Sequence, residues 1–272
     1  MVTIPLTAGR HIFGDDPQAY AAARPDYPDG LYQRLVDRCG LQAGATAFEI
    51  GPGVGIATRR LLALGASVHA IEPDPRLAEF LRRALPNPVL RVEETTFEES
   101  ELPAVRFDLG VAATAFHWLE QGPALAKAHA ALKPGGWWAM WWNNFGDDDE
   151  PDAFQAAIDH LFVGTQDSPS QGHDGRPPFA LDYEVRLHDL VSAGFEAAEF
   201  ELWRWSVVYD TAQLVGLYGT FSSLNALKPA DRARFFEQFS RIVEGEFGGR
   251  VERTFTTSLY TARRPAADRR PA

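Results

Sequence analysis

Apolar and polar positions follow two interleaved rhythms through the first half of the chain. Short apolar runs at 46–50, 68–71, 89–92, 107–112 and 137–142 have the length and composition of buried strands. Between them the apolar positions fall at helical spacing. Leu31, Leu35, Val36 and Cys39 share one face of a helix over 29–40 that Gly40 closes. A second helix runs over 56–64 and stops at Gly65; Pro75 opens a third carrying Leu77, Phe80, Leu81 and Leu85, which Pro86 ends. Pro123 starts a fourth, through Leu132. Strand and helix in alternation predict an α/β fold with a doubly wound, mostly parallel sheet.

Beyond residue 143 the rhythm loosens. Phe154, Ala157, Ile158, Leu161 and Phe162 mark a helix, and the polar Gly/Ser/Pro stretch at 164–178, which contains His173, reads as a mobile loop of the kind that covers sites. A helix over 185–191 stops at Gly194, and 195–205 alternates as a strand. Thr211 caps a helix with Leu214, Val215, Leu217 and Tyr218; Phe221, Ser222 and Ser223 follow as a polar-aromatic surface suited to a substrate. Pro229 opens an amphipathic helix with Phe235, Phe236, Phe239, Ile242 and Val243, and Val251, Phe255 and Leu259 alternate in a last strand. The expected organisation is a leader over 1–30 with one short helix, a core over 31–143, and a completion of the sheet over 144–261. Insertions at 144–182 and 206–246 build a substrate lid, the acidic run 147–150 is a solvated turn, and 262–272 is a disordered tail.

The first strand ends in the densest punctuation of the chain, Glu49-Ile50-Gly51-Pro52-Gly53-Val54-Gly55. Glycines there permit a sharp turn and close approach of a ligand, and the N–H groups of the helix that follows favour a negative group. No Lys follows, which excludes a P-loop, and Ile56 stands where the dinucleotide fingerprint wants its third glycine. The second strand ends in an acid, Glu72.

Charge and cysteine content narrow the partners. A net charge of −11 argues against a phosphate-binding surface as the main contact, so neither nucleic acid nor membrane is expected. Cys39 is the single cysteine, which rules out a disulfide framework and a cysteine zinc site, and His160, His173 and His188 lack metal-ligand spacing, so no metal is expected. No run of about 18 apolar residues and no signal-peptide pattern occurs, so the expected location is the cytoplasm.

Taken together, the Glu-x-Gly-x-Gly-x-Gly loop and the Val68-His69-Ala70-Ile71-Glu72 strand resemble the first two motifs of class I S-adenosylmethionine-dependent methyltransferases. The resemblance covers roughly residues 10–145 and includes a Leu-Lys-Pro-Gly-Gly hairpin at 132–136. It is strongest toward the small-molecule subgroup that includes trans-aconitate methyltransferase. It implies seven strands with the last antiparallel, a loop of Glu49, Gly51, Gly53 and Gly55 around the methionine part of the cofactor, and Glu72 on both ribose hydroxyls. Thr95, Thr96 and Phe97 would flank the adenine, where the family often has an Asp, and Ala113 would close the cofactor site. A leader segment Tyr20-x-x-x-Arg24-Pro-x-Tyr27-Pro28 would fold over the cofactor. Arg24 would pair with the cofactor's carboxylate or an acidic substrate; alternatively it stacks on Tyr27 at the surface. Phe116, His117, Trp118 and Asn143 would face the acceptor, with His117 as a general base or as a residue that shapes the pocket. The Asn-Pro-Pro-Tyr motif of nucleic-acid amino methyltransferases is absent. The expected activity is methyl transfer from S-adenosylmethionine to oxygen or carbon of a small organic acceptor, by a monomer or homodimer. The alternatives are a protein that binds this cofactor without methyl transfer and a nicotinamide-dependent oxidoreductase.

Overall fold

The computed structural model describes residues 3–146, 152–172 and 176–266. His173, the acidic run 147–150 and the tail from 267 onward lie outside the described residues. The first strands and helices are β1 (Thr46–Ile50), β2 (Ser67–Glu72), β3 (Leu90–Glu94) and β4 (Phe107–Ala113), with α1 (Leu6–Gly9), α2 (Pro17–Ala23), α3 (Asp29–Asp37), α4 (Ile56–Ala63) and α5 (Pro75–Ala84). Then come α6 (Gln121–Ala131), β5 (Leu132–Phe145), α7 (Ala153–Ile158), α8 (Tyr183–Ser192) and β6 (Glu196–Asp210). The lid helices α9 (Thr211–Tyr218), α10 (Ser222–Asn225) and α11 (Pro229–Phe247) precede β7 (Arg250–Arg263).

The strands form one sheet in the order β3-β2-β1-β4-β5-β7-β6. β1 to β5 run parallel, and β7 lies antiparallel between β5 and β6. The chain winds outward from β1 through β2 to β3, then returns to β4 on the other side. That reversal leaves a crevice at the carboxyl ends of β1 and β4, where such sheets bind ligands.

Strand side chains alternate between two cores because the strand period is two. Phe48, Ile50, Trp138, Met140 and Trp142 pack with α6 and α8 on one face. Ala47, Ala139 and Trp141 pack with Leu31 and Leu35 of α3 and with Leu61 and Leu81 on the other. A third core belongs to the lid: Phe154, Tyr218, Phe235 and Phe239 close on Val251 and Phe255 of β7.

Three expected boundaries move. β6 continues to Asp210, so the run expected to end at 205 extends into what reads as lid. β7 reaches Arg263, and Arg264 donates to the carbonyls of His129 and Ala130, so ordered chain replaces the first part of the expected tail. β5 begins at Leu132 and takes in the Lys-Pro-Gly-Gly hairpin, with its register against β4 shifting between Phe107 and Leu109. Strand ends are hard to place from pattern where no Gly or Pro marks them, and none occurs between Trp205 and Asp210.

Candidate active site

The crevice opens into a cavity of about 660 Å³, in the size range of sites that enclose cofactors and small substrates. Its floor is the glycine loop. Gly51, Gly53 and Gly55 have φ of 60°, 57° and 83°, a left-handed backbone that side chains disfavour. A Cβ on Gly53 would meet nothing within 4 Å, so the loop is bare toward the cavity there. Gly55 is different: its Cβ would come within 2.4 Å of Leu81 Cδ1, and it does not line the cavity. Its expected contact with a ligand is replaced by close packing of the loop on α5. Glu49 also lies beneath the loop. It is fully buried and accepts a hydrogen bond from Thr58 Oγ1 at 2.7 Å, which ties β1 to the first turn of α4. Burial raises its pKa to about 7.

Glu72 does line the cavity. Gly53 N–H donates to its Oε2 at 2.9 Å and Asp74 N–H to its Oε1 at 3.0 Å. Each oxygen so fixed keeps a lone pair for a ligand, and a pair of vicinal hydroxyls matches that arrangement. The carboxyl is 3 % exposed, and desolvation lifts its pKa to about 7 against the two amide bonds that lower it.

Beside Glu72 lies an apolar slot of Ile71, Leu77, Phe97 and Leu119. Phe97 is buried and stacks on Phe48 at 6.2 Å. Thr96 reaches the cavity, but its hydroxyl already donates to Glu99 Oε2 at 2.9 Å and accepts from Glu99 N–H. Thr95 does not line the cavity. The turn that follows β3 therefore presents Thr96 and Phe97 to the cavity and leaves Thr95 out of it.

The leader roofs this space. Arg10, Phe13, Tyr20, Arg24 and Tyr27 line it, with Arg10 ion-paired to Glu98 and Phe13 edge-on to both Tyr20 and Trp118. Tyr27 OH and Thr114 Oγ1 lie 2.9 Å apart and share a hydrogen bond. Arg24 does not stack on Tyr27. Its guanidinium lies over Tyr20, Phe145 and Phe221 instead. The described part of the 164–178 stretch also lines the cavity, through Asp167, Ser168 and Gln171 among others, and is pinned to the leader where Ile4 N–H donates to Asp167 O at 2.9 Å.

The end of β4 delivers Ala113, His117 and Trp118 to the cavity, and Asn143 comes from β5. Asn143 Oδ1 accepts from Thr257 Oγ1 at 2.6 Å. Phe116 turns away: it is fully buried against Trp138 and touches no ligand space. His117 Nδ1 accepts from Trp142 Nε1 at 3.0 Å. Burial, reinforced by the charge of Arg24, pushes its pKa down to about 3, so the ring is neutral. A neutral imidazole that accepts at Nδ1 carries its hydrogen on Nε2. His117 thus presents Nε2–H to the cavity as a hydrogen-bond donor, which fits the pocket-shaping alternative better than the general base.

The residues present fit S-adenosylmethionine: an anchored carboxylate for a ribose, a bare glycine loop, an apolar slot for a flat base, and aromatic side chains suited to a sulfonium. Pattern reading missed Arg10, Phe13, Tyr218 and Asp167. Tyr218 lies on an apolar stripe that reads as lid core, and nothing in the spacing of Asp167 marks it. Among the described residues no cluster of His, Cys, Asp and Glu suited to a metal occurs, and no helix is long and apolar enough to cross a membrane.

Residues 48–140 match the family model described as a methyltransferase domain. An uncharacterized methyltransferase of Mycobacterium tuberculosis is 33% identical over 131 residues, covering 48% of this chain and 51% of its own. The chain thus spans about half the length of the first curated relatives it matches. Among solved structures, a Haemonchus contortus phosphoethanolamine N-methyltransferase, in complex with phosphomonomethylethanolamine and S-adenosylhomocysteine, superposes with a TM-score of 0.55 at 14% identity, over 96% of this chain and 57% of its own. The [4+2]-cyclase SpnF superposes with a TM-score of 0.61 at 15% identity, over 98% of this chain and 99% of its own. These two likenesses speak to the fold.

Proposed function

We propose that the chain, whose residues 48–140 match a methyltransferase domain, is a class I S-adenosylmethionine-dependent methyltransferase that transfers the cofactor's methyl group to oxygen or carbon of a small organic acceptor. The observation that carries this reading is the Glu72 carboxylate, fixed by two backbone N–H groups beside the bare Gly53 at the switch point of the sheet. When bound, S-adenosylmethionine supplies an electrophilic methyl on a sulfonium. Glu72 and the loop at Gly51 and Gly53 hold the cofactor. His117 Nε2–H and Asn143 orient the acceptor. The leader and the 164–172 segment close over the cavity and keep water out. With His117 held as a donor, the protein contributes position and a dry site more than proton transfer.

The test is calorimetric titration with S-adenosylmethionine and S-adenosylhomocysteine. Micromolar binding of both, weakened roughly 100-fold in Glu72→Ala, is the expected result for loss of two charge-assisted hydrogen bonds. Equal binding by wild type and variant would sink the reading. Binding of a nicotinamide dinucleotide in its place would favour an oxidoreductase. The likeness to a [4+2]-cyclase makes the second step, a methyl-transfer assay on small acceptors, as necessary as the first.

A further inference from the structure

Arg24 is a charged group of the cavity whose needs are poorly met; Asp167 Oδ2 is buried there without a partner as well. Arg10 has Glu98, and Glu72 has its two amides. Among the described residues no carboxylate lies within ion-pair distance of Arg24. Among the described residues its one side-chain hydrogen bond is a long one, from Nη2 to Thr220 O at 3.4 Å. Its Nε is buried and has no acceptor. Aromatic faces surround the guanidinium, with centroids at 5.4 Å for Tyr20, 5.9 Å for Phe145 and 5.3 Å for Phe221. They offset part of the charge but fill none of its N–H positions. A second group of the cavity is also open, on the side of Arg253, Asp152 and Asp159. Tyr218, stacked on Phe221 at 4.7 Å, lines the cavity with a buried hydroxyl that has no partner. Burying a cation and a hydroxyl without acceptors is costly unless a ligand supplies them.

Building on the cofactor reading above, we propose that the acceptor is an organic anion with an aromatic or otherwise apolar body, whose carboxylate or phosphate is gripped by Arg24 and whose body extends toward the Tyr218 hydroxyl. The fork of a guanidinium matches either group with two parallel hydrogen bonds. The rings of Phe145 and Phe221 suit the flat or apolar remainder. The assignment to the acceptor rather than to the cofactor follows from the lining. Arg24 sits against lid residues and the end of β5, whereas Glu72 and the loop lie on β1 and β2.

The experiment titrates benzoate, phenyl phosphate and neutral benzyl alcohol into the full-length protein, with and without saturating S-adenosylhomocysteine. At least one anion is expected to bind roughly tenfold or more tightly than benzyl alcohol, and the preferred anion identifies carboxylate or phosphate. Arg24→Gln should abolish that preference, Arg24→Lys should keep part of it, and Tyr218→Phe should weaken it severalfold. S-adenosylhomocysteine binding should change by less than about threefold in Arg24→Gln, which also shows that the variant is folded. Anions that bind wild type no better than benzyl alcohol would overturn the proposal. So would an Arg24→Gln protein that loses S-adenosylhomocysteine affinity roughly tenfold while binding 5′-methylthioadenosine normally, because that places the cofactor's own carboxylate on Arg24. If wild type binds the anions through Arg24 but not S-adenosylhomocysteine, the cofactor reading falls and the anion site stands.

Discussion

At the scale of single residues, burial shifts the ionisable groups of the site toward their neutral forms. The Glu72 carboxyl is lifted from the ordinary 4.5 to about 7 by burial. Below pH 4.5 folded and unfolded chains both hold the proton, and burial carries no ionisation penalty. As pH rises from there, the unfolded chain ionises first and stability falls. Above about 7 a constant penalty remains, roughly 3 kcal/mol for a shift of this size. Glu72→Gln should therefore be more stable than wild type at pH 8, by up to about 3 kcal/mol, with the gap closing below pH 5, while its cofactor binding weakens. Urea melts at the two pH values check this. For His117, Ala should cost about ten- to a hundredfold in methyl transfer, and Gln, which can still donate, should recover part of it. The pH profile should lack a histidine limb between 6 and 7; finding one would restore the base. The spacing of the glycine loop made Glu72 and Gly53 legible from sequence. The same motif pointed equally at Glu49 and Gly55, and the segment after β4 at Phe116, because a motif names positions without telling which side of the backbone faces the ligand.

Among elements, the long β6–β7 hairpin explains the lid. Among the described residues the β5–β7 register runs to Phe145–Phe255, while β6 and β7 stay paired to Asp210–Arg250. The overhanging end carries Val251 and Phe255 into the lid core, and buried Arg253 pairs with Asp152 ahead of α7. Sequence pattern divided this region at 205 because Val207, Val208 and Tyr209 are apolar in succession and hide the alternation of covered and exposed positions that runs on to Asp210. Phe239 is fully buried in that core, with Tyr218 at 4.7 Å and Phe154 at 5.7 Å. Phe239→Ala should cost about 3–5 kcal/mol. Because the lid core is separate from the two sheet cores, hydrogen exchange should quicken over 211–247 and leave β1 and β2 protected. Uniform acceleration across the sheet would show that lid and sheet unfold as one unit.

For the molecule as a whole, the doubly wound architecture was legible because strand and helix spacing differ so plainly in the first half of the chain. The roof was not, because it joins segments far apart in sequence that share no period. Thr3 bridges Asp167, Ile4 is buried, and Arg76 of α5 holds Asp15 and the His11 carbonyl. The leader and the middle of the chain thus meet above the cavity through a contact of a few atoms. A ligand enclosed this way leaves only when two pieces of roof part, so the contact sets a residence time as well as a shape. Release of S-adenosylhomocysteine, followed by stopped-flow fluorescence of the tryptophans, should be faster in Ile4→Ala, and an unchanged rate would leave the roof to residues 10–27 alone. If product exit is the slow step, kcat measures how often this small seam opens, and enzyme turnover becomes a clock for the first few residues of the chain.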